Sequence, residues 1–170
     1  DRLVSLFSRK GKRIRSTLLC LLANCGTQKP DIKRVAHACA AIELLHLASL
    51  VHDDIIDGTD VRRGQKTAHR EWGTQVAVLI GDYVLSQAMQ CVIDEESHDI
   101  PTVLSKAADK LIEGEILELD QSGNMRLSFE EYDRIIDGKT ASLIAAAARI
   151  GAILAGFDKE NIDKCAQMGS

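Results

Sequence analysis

The chain has 170 residues, 45% of them hydrophobic but only 4% aromatic, and its 21 basic and 25 acidic side chains leave a formal net charge of −4. That is material for one packed core, and mild acidity with basic residues held to short groups such as Arg9 to Arg15 and Arg62-Arg63 excludes a nucleic-acid partner on charge. No run of about 18 uncharged apolar residues marks a transmembrane segment, and no signal peptide is visible.

Only Pro30 and Pro101 interrupt the chain, and between breaks the apolar residues recur at helical spacing, so the fold class predicted is all-α. In chain order the helices expected are Arg13 to Asn24, Ile32 to Asp57, Thr67 to Ile93, Thr102 to Asp120, Ser128 to Asp137, Lys139 to Ala155 and Lys159 to Met168. Pro30-Asp31 opens the second, and Ser128-Phe129-Glu130-Glu131 reads as a capping box. The alanine-rich stretch Ala141 to Ala155 predicts helices packed at close range. No repeat, low-complexity tract or linker marks a second domain, so residues 1–170 read as one. Cys20, Cys25, Cys39, Cys91 and Cys165 form no C-x-x-C pair, and most fall in apolar helical pattern. They are expected to be buried, reduced thiols in a cytoplasmic protein.

The second helix carries the chemistry. Its stretch Ala38 to Val51 has only Glu43, His46 and Ser49 as polar positions, so it lies largely buried. It then ends on His52-Asp53-Asp54-Ile55-Ile56-Asp57-Gly58. A helix C-terminus carries partial negative charge, so three carboxylates there are unfavourable unless a cation joins them, and Gly58 reads as the terminating residue. Asp53 and Asp57, four residues apart, share a face with Asp54 beside them, and their oxygens suit a hard divalent ion, Mg²⁺ first. Arg62-Arg63-Gly64 follows, and guanidinium forks match the oxygens of a diphosphate. Acidic and basic groups of this size are ordinarily a solvated surface; the apolar helix beneath these sets them apart.

Three further groups are ambiguous by themselves. His46 lies two turns below Asp53 on the same face, either a satisfied core residue or a ligand contact. Lys12 and Arg15, at i and i+3, are either an anion clamp at a helix start or a solvated basic end. Gly138-Lys139-Thr140 is expected to open a helix with a cation, a hydroxyl and free backbone N–H groups, the pattern also of plain capping. Together they place basic clusters and one acidic triplet at helix ends.

These residues resemble a known family, the trans-type isoprenyl (polyprenyl) diphosphate synthases. The similarity runs through Gly11-Lys12-Arg13-Ile14-Arg15, Glu43 to Asp57, Arg62-Arg63-Gly64, Gly81-Asp82-Tyr83, Gly114-Glu115 and Lys139-Thr140-Ala141-Ser142-Leu143. It implies an antiparallel helical bundle around a central apolar cavity, normally a homodimer. It implies a Mg²⁺-dependent prenyltransferase of isoprenoid biosynthesis. By the resemblance, Asp53, Asp54 and Asp57 hold Mg²⁺ on an allylic diphosphate, with Arg62, Lys139 and Thr140 on the same group. Lys12, Arg15, His46 and Arg63 hold isopentenyl diphosphate. The allylic diphosphate ionises, the isopentenyl double bond attacks the cation, and a proton is lost to the departing diphosphate. Ala48 and Ser49, five and four positions before the first Asp, are small where the family's short-chain members carry bulky floor residues. A longer product, roughly C30 to C45, is therefore favoured over a C15 one.

The chain departs from the family pattern at Lys10-Gly11-Lys12, at Ser16 and at Glu115, a place where short-chain members often have Gln. The resemblance also implies a second Asp-rich motif, and Asp158 and Asp163 do not form one. The C-terminal helices of the bundle are thus expected to be missing from these residues, which hold about half a site and should ionise substrate poorly alone. A non-catalytic partner subunit of a heteromeric synthase is the alternative, although such a subunit has no need for a metal cradle. A related terpene cyclase is a third, disfavoured because it binds one diphosphate rather than two.

Overall fold

A computed structural model describes residues 2–8, 11–27, 29–95 and 97–169; Asp1, Arg9, Lys10, Gln28, Glu96 and Ser170 lie outside the described residues, among them the first members of the expected N-terminal basic group. The chain runs α1 (Arg2–Phe7), α2 (Ile14–Ala23), α3 (Ile32–Ile56), a hairpin of β1 (Val61–Arg62) and β2 (Gln65–Lys66), α4 (Ala68–Trp72), α5 (Thr74–Gln90), α6 (Asp99–Asp120) and α7 (Phe129–Ile136). A π-helical turn (Asp137–Ala141), α8 (Ser142–Leu154) and α9 (Lys159–Gln167) follow. The expected all-α class is observed.

Helix α3 is the centre, packed on α2, α5, α6 and α8. Its buried residues Val35, Ala38, Ala41, Ile42 and Leu45 meet Leu19 of α2, Leu104 and Ala107 of α6, and Leu143, Ala147 and Ile150 of α8. By length and composition α3 is apolar enough to cross a membrane, against the reading of the sequence, and its buried apolar residues pack on neighbouring helices here. The small residues of α8 let the backbones approach: a Cβ on Gly151 would stand 2.7 Å from the Leu19 carbonyl oxygen of α2.

Several expected boundaries match their physical signals. Asp31 caps α3 by accepting from the Lys33 N–H at 2.8 Å. Ser128 and Glu131 form both bonds of the capping box on α7. Gly58, at φ +63°, closes α3 as a Schellman motif, its N–H donating to the Ile55 carbonyl and that of Thr59 to Asp54. Other expectations are corrected. The helix expected from Thr67 to Ile93 is two, split at Gly73, whose φ of 87° and ψ of 151° no helix can carry. The hairpin and α1 are absent from the sequence reading. Of the cysteines only Cys165 is buried; Cys25 is exposed and the others are intermediate.

Candidate active site

Two clusters flank the C-terminal end of α3. The first is acidic. Asp53 is hydrogen-bonded by Glu115 of α6 and lies near Asp57. Burial, then the Glu115 and Asp57 charges, push the Asp53 carboxyl up to about 7, with Lys139 opposing. The Lys139 Nζ stands 2.7 Å from Glu115 Oε2 and also pairs with Glu118. Burial alone would lower that ammonium, but the Glu115 and Glu118 carboxylates outweigh it and hold it above the usual lysine range.

Lys139 reaches this cluster through backbone geometry. It sits in the π-helical turn, an uninterrupted passage from α7 to α8, so the expected helix start with free N–H groups at Gly138-Lys139-Thr140 is not there. The Ser142 N–H donates to the Asp137 carbonyl and the Ser142 hydroxyl to that of Gly138 at 2.5 Å. Such one-residue insertions recur at functional sites because they re-aim a side chain. Thr140 is exposed on the same turn.

The second cluster is basic and lines a cavity of about 920 Å³ between the N-terminal end of α2, α3 and the hairpin. Lys12, Arg15, His46, Arg62 and Arg63 all line it, with Glu43 and Asp54. Two of its edges are strained: Arg13 (φ 52°) and Arg63 (φ 51°) occupy the left-handed region, at roughly 1 kcal/mol each for a residue with a Cβ. Arg63 and Gly64 both have positive φ, which the two-residue turn between β1 and β2 requires. Gly11 lies under the Arg63 guanidinium, where a Cβ would stand 3.4 Å from it. Arg15 lines the cavity, and its Nε is buried with no hydrogen-bond partner among the described residues.

The predicted residues thus divide. Asp54 turns away from the Asp53 face: its side chain is only 5% exposed and receives the Arg62 Nε at 2.6 Å. The expected membership of Asp54 in the metal set meets a carboxylate already committed to an arginine. Arg62, expected with Lys139 on one diphosphate, stands with the basic cavity instead. Glu118 was missed by sequence reasoning, although its i, i+3 spacing from Glu115 places both on one face of α6. Gly81 and Asp82 find a structural use: a Cβ at Gly81 would stand 2.3 Å from the His52 ring, whose Nε2 lies 3.3 Å from Asp82 Oδ1. Ala48 is buried in a cluster with Leu6, Val51, Ala77 and Val84, whereas Ser49, one turn below Asp53, is half-buried and gives its hydroxyl to the His46 carbonyl. A second cavity, about 900 Å³ between α6 and α7, holds none of the predicted residues.

For a divalent ion the donor chemistry at Asp53 and Asp57 is suitable, since carboxylate oxygens are hard donors; Asp53 is also within hydrogen-bonding reach of Glu115 and feels the Asp57 charge, a crowding that a cation or a proton relieves. Among the described residues no group of three His, Cys, Asp or Glu side chains is already gathered for a metal.

His46 bears on the basic cavity's charge. Burial first, then Arg15, Arg63 and Arg62, lower its pKa to about 4 against the opposing pull of Glu43. The imidazole is therefore neutral at pH 7 and serves as a hydrogen-bonding group. Because the unfolded chain binds this proton below about 6.5 and the folded chain does not until about 4, stability is lost as pH falls through that window. Urea titrations of the protein and of His46→Gln at pH 7 and pH 4.5 are expected to show the difference between them shrinking by up to about 2 kcal/mol at the lower pH. A pH-independent difference refutes the lowered pKa of His46.

A family model described as polyprenyl synthetase matches residues 2–170. The chain is 36% identical to a nonaprenyl diphosphate synthase of Mycobacterium tuberculosis over 99% of its own length and 50% of that protein's. It is also 36% identical to heptaprenyl diphosphate synthase component 2 of Geobacillus stearothermophilus, covering 89% of this chain and 47% of that one. The crystal structure of a decaprenyl diphosphate synthase from Rhodobacter capsulatus superposes with a TM-score of 0.90 at 31% identity, over 98% of this chain and 50% of that one. The chain spans about half the length of the relatives it matches.

Proposed function

This chain belongs to the polyprenyl synthetase family, and we propose that it carries the substrate cradles of a prenyltransferase joining isopentenyl diphosphate to an allylic diphosphate to make a medium- or long-chain all-trans polyprenyl diphosphate. The observation that carries the reading is the pairing of two clusters at one helix end: acids with Lys139 in one, six basic or imidazole side chains around a cavity in the other. Two diphosphates meeting head to tail need two such cradles.

The division of labour follows from the contacts. Asp53 and Asp57 would hold Mg²⁺, which when bound supplies positive charge against the negative charge that grows on a leaving diphosphate. Lys139, held in place by Glu115 and Glu118, presents an ammonium to the same group. Asp54 fixes Arg62 by a short, largely buried bond through Nε, which aims the guanidinium at the basic cavity, where its other N–H groups would take phosphate oxygens. Lys12, Arg15 and Arg63 hold the second diphosphate, and neutral His46 donates to it or to its water. Arg15 is the residue with an acceptor still to find. Alongside Glu115 on α6 lie Ile112 and Leu119, 55% and 49% exposed, and they share its face. An apolar wall beside the charged mouth suits a prenyl tail and limits quenching of a carbocation by water.

We read residues 1–170 as one domain that the counterpart of the relatives' remaining half would complete. A homodimer is the assembly we expect. The relative named component 2 supports a second reading in which a partner chain is needed.

The test is a product assay on the intact protein with Mg²⁺, isopentenyl diphosphate and allylic primers, the products resolved by chromatography. A polyprenyl diphosphate is expected from the protein alone; product only after a second chain is added favours the heteromeric reading, and none in either case sinks both. In the same assay Ser49→Phe is expected to shorten the product at unchanged stability, because Ser49 lies on the Asp53 face. Ala48→Phe overpacks a filled seam and lowers Tm instead, by a change on the order of 2 kcal/mol. An unshortened product from Ser49→Phe places the floor elsewhere.

A further inference from the structure

We propose that Cys20 and Cys39 are a modification site, forming a reversible disulfide that stitches α2 to α3 beside the basic cavity when a peroxide-class oxidant reaches them. Their sulfurs stand 3.3 Å apart, Cys20 on α2 and Cys39 on α3, two helices packed on one another. Closing to a bond of about 2.05 Å needs the sulfurs to move together by roughly 1.2 Å, within reach of side-chain rotation. Neither thiol is fully buried, so a small oxidant has access. Burial, and then its bond to Cys20, push the Cys39 thiol up to about 12, so Cys39 keeps its proton at neutral pH.

The chemistry balances with peroxide as co-reactant. The Cys20 sulfur attacks one peroxide oxygen, the O–O bond breaks, and the departing hydroxide takes a proton to leave as water. The Cys39 sulfur then attacks Cys20 Sγ, the S–O bond of the sulfenic acid breaks, and a second water leaves. Two thiols lose two electrons and one peroxide gains them. Thiol exchange reverses the bond.

The link has a route to the cavity. The Cys39 thiol also donates to the Ser16 carbonyl at 3.6 Å, and the Ser16 N–H donates to Glu43 Oε1 at 3.2 Å. Ser16 follows Arg15, and Glu43 lies one turn beyond Cys39. Drawing the Cys39 sulfur toward Cys20 takes it from the Ser16 carbonyl and loosens the first turn of α2, which carries the Arg15 guanidinium. Oxidation therefore weakens anion binding. This second part rests on reading the cavity as a diphosphate cradle.

The experiment treats the protein with hydrogen peroxide at low excess, blocks remaining thiols by alkylation and maps the peptides by mass spectrometry. Expected are a Cys20–Cys39 cross-linked peptide two mass units below the reduced pair, its loss on adding dithiothreitol, and a Tm higher by about 5 to 10 °C in the oxidised form, as closing a loop of this length implies. Cys20→Ser and Cys39→Ala should each abolish both signals; a single variant that fails to fold leaves the wild-type map to decide. Both thiols still alkylated when exposed Cys25 has been oxidised, or each carrying its own sulfinic or sulfonic acid, overturns the disulfide. Inorganic pyrophosphate is then titrated calorimetrically into both forms. Binding at least threefold weaker after oxidation is expected, and equal binding overturns the coupling. Failure of the reduced protein to bind pyrophosphate defeats the cradle reading and the coupling with it, while the peptide map still decides the disulfide.

Discussion

Asp53→Ala in the intact protein is expected to lower kcat/KM for condensation on the order of 10³-fold, about 4 kcal/mol of transition-state stabilisation, while leaving thermal stability equal or slightly higher. The two halves have one cause. Asp53 is a carboxyl crowded against Glu115 and Asp57, so in the absence of a cation its removal relieves repulsion and a desolvation cost. Lys139 offsets this only in part, and a bound metal would offset the rest. Asp54→Ala should do the reverse in its first effect. It leaves the Arg62 guanidinium without a partner that is 5% exposed, and with Arg62 itself a third exposed the loss is discounted to about 2 kcal/mol, or 4 to 8 °C in Tm. Differential scanning calorimetry and a radiolabelled isopentenyl diphosphate assay on both variants decide it. If Asp53→Ala is destabilised and still active, its carboxylate is structural and the metal cradle falls.

How far this was legible depends on the range of the contact. Periodicity placed Asp53 and Asp57 on one face, and Gly58 with the chemistry of its turn ended the helix, because both are local. The opposed aim of Asp54 was implicit in the same periodicity, since adjacent helical residues point about 100° apart, but its partner was not. Arg62 returns to it through a hairpin whose turn is Arg63-Gly64, lacking the Asn-Gly or Asp-Gly that would announce it. Gly73 was readable as a break only once its positive φ was known. Glu118 escaped notice because its shared face with Glu115 reads locally as an ordinary solvated helix surface; its importance comes from Lys139, 21 residues later. The resemblance assigned Lys139 to the allylic diphosphate, and the structure pairs its ammonium with Glu115 and Glu118; the assumed helix start was wrong, because glycine before lysine reads as a break locally, whereas here glycine is demanded by a neighbouring backbone.

That demand makes Gly138→Ala a small substitution expected to damage both the fold and the site. A Cβ at Gly138 would lie 2.8 Å from the Gly114 Cα and 2.9 Å from the Lys110 carbonyl oxygen, and a Cβ at Gly114 would meet the Lys139 nitrogen at 2.8 Å. These are backbone atoms of two helices, so no side chain can swing aside and the π-helical turn must separate from α6. Overpacking of this kind costs about 2 to 3 kcal/mol, or roughly 5 to 10 °C in Tm. The separation also carries Lys139 away from Glu115 and Glu118, so activity measured below the transition should fall on the order of tenfold or more, with KM for the allylic diphosphate rising. Gly123→Ala is the control: at φ +78° with nothing within 4 Å, alanine there meets only backbone strain of about 1 kcal/mol and should leave KM untouched. Equal KM in Gly138→Ala and the parent would show that Lys139 does not depend on the glycine contact for its aim.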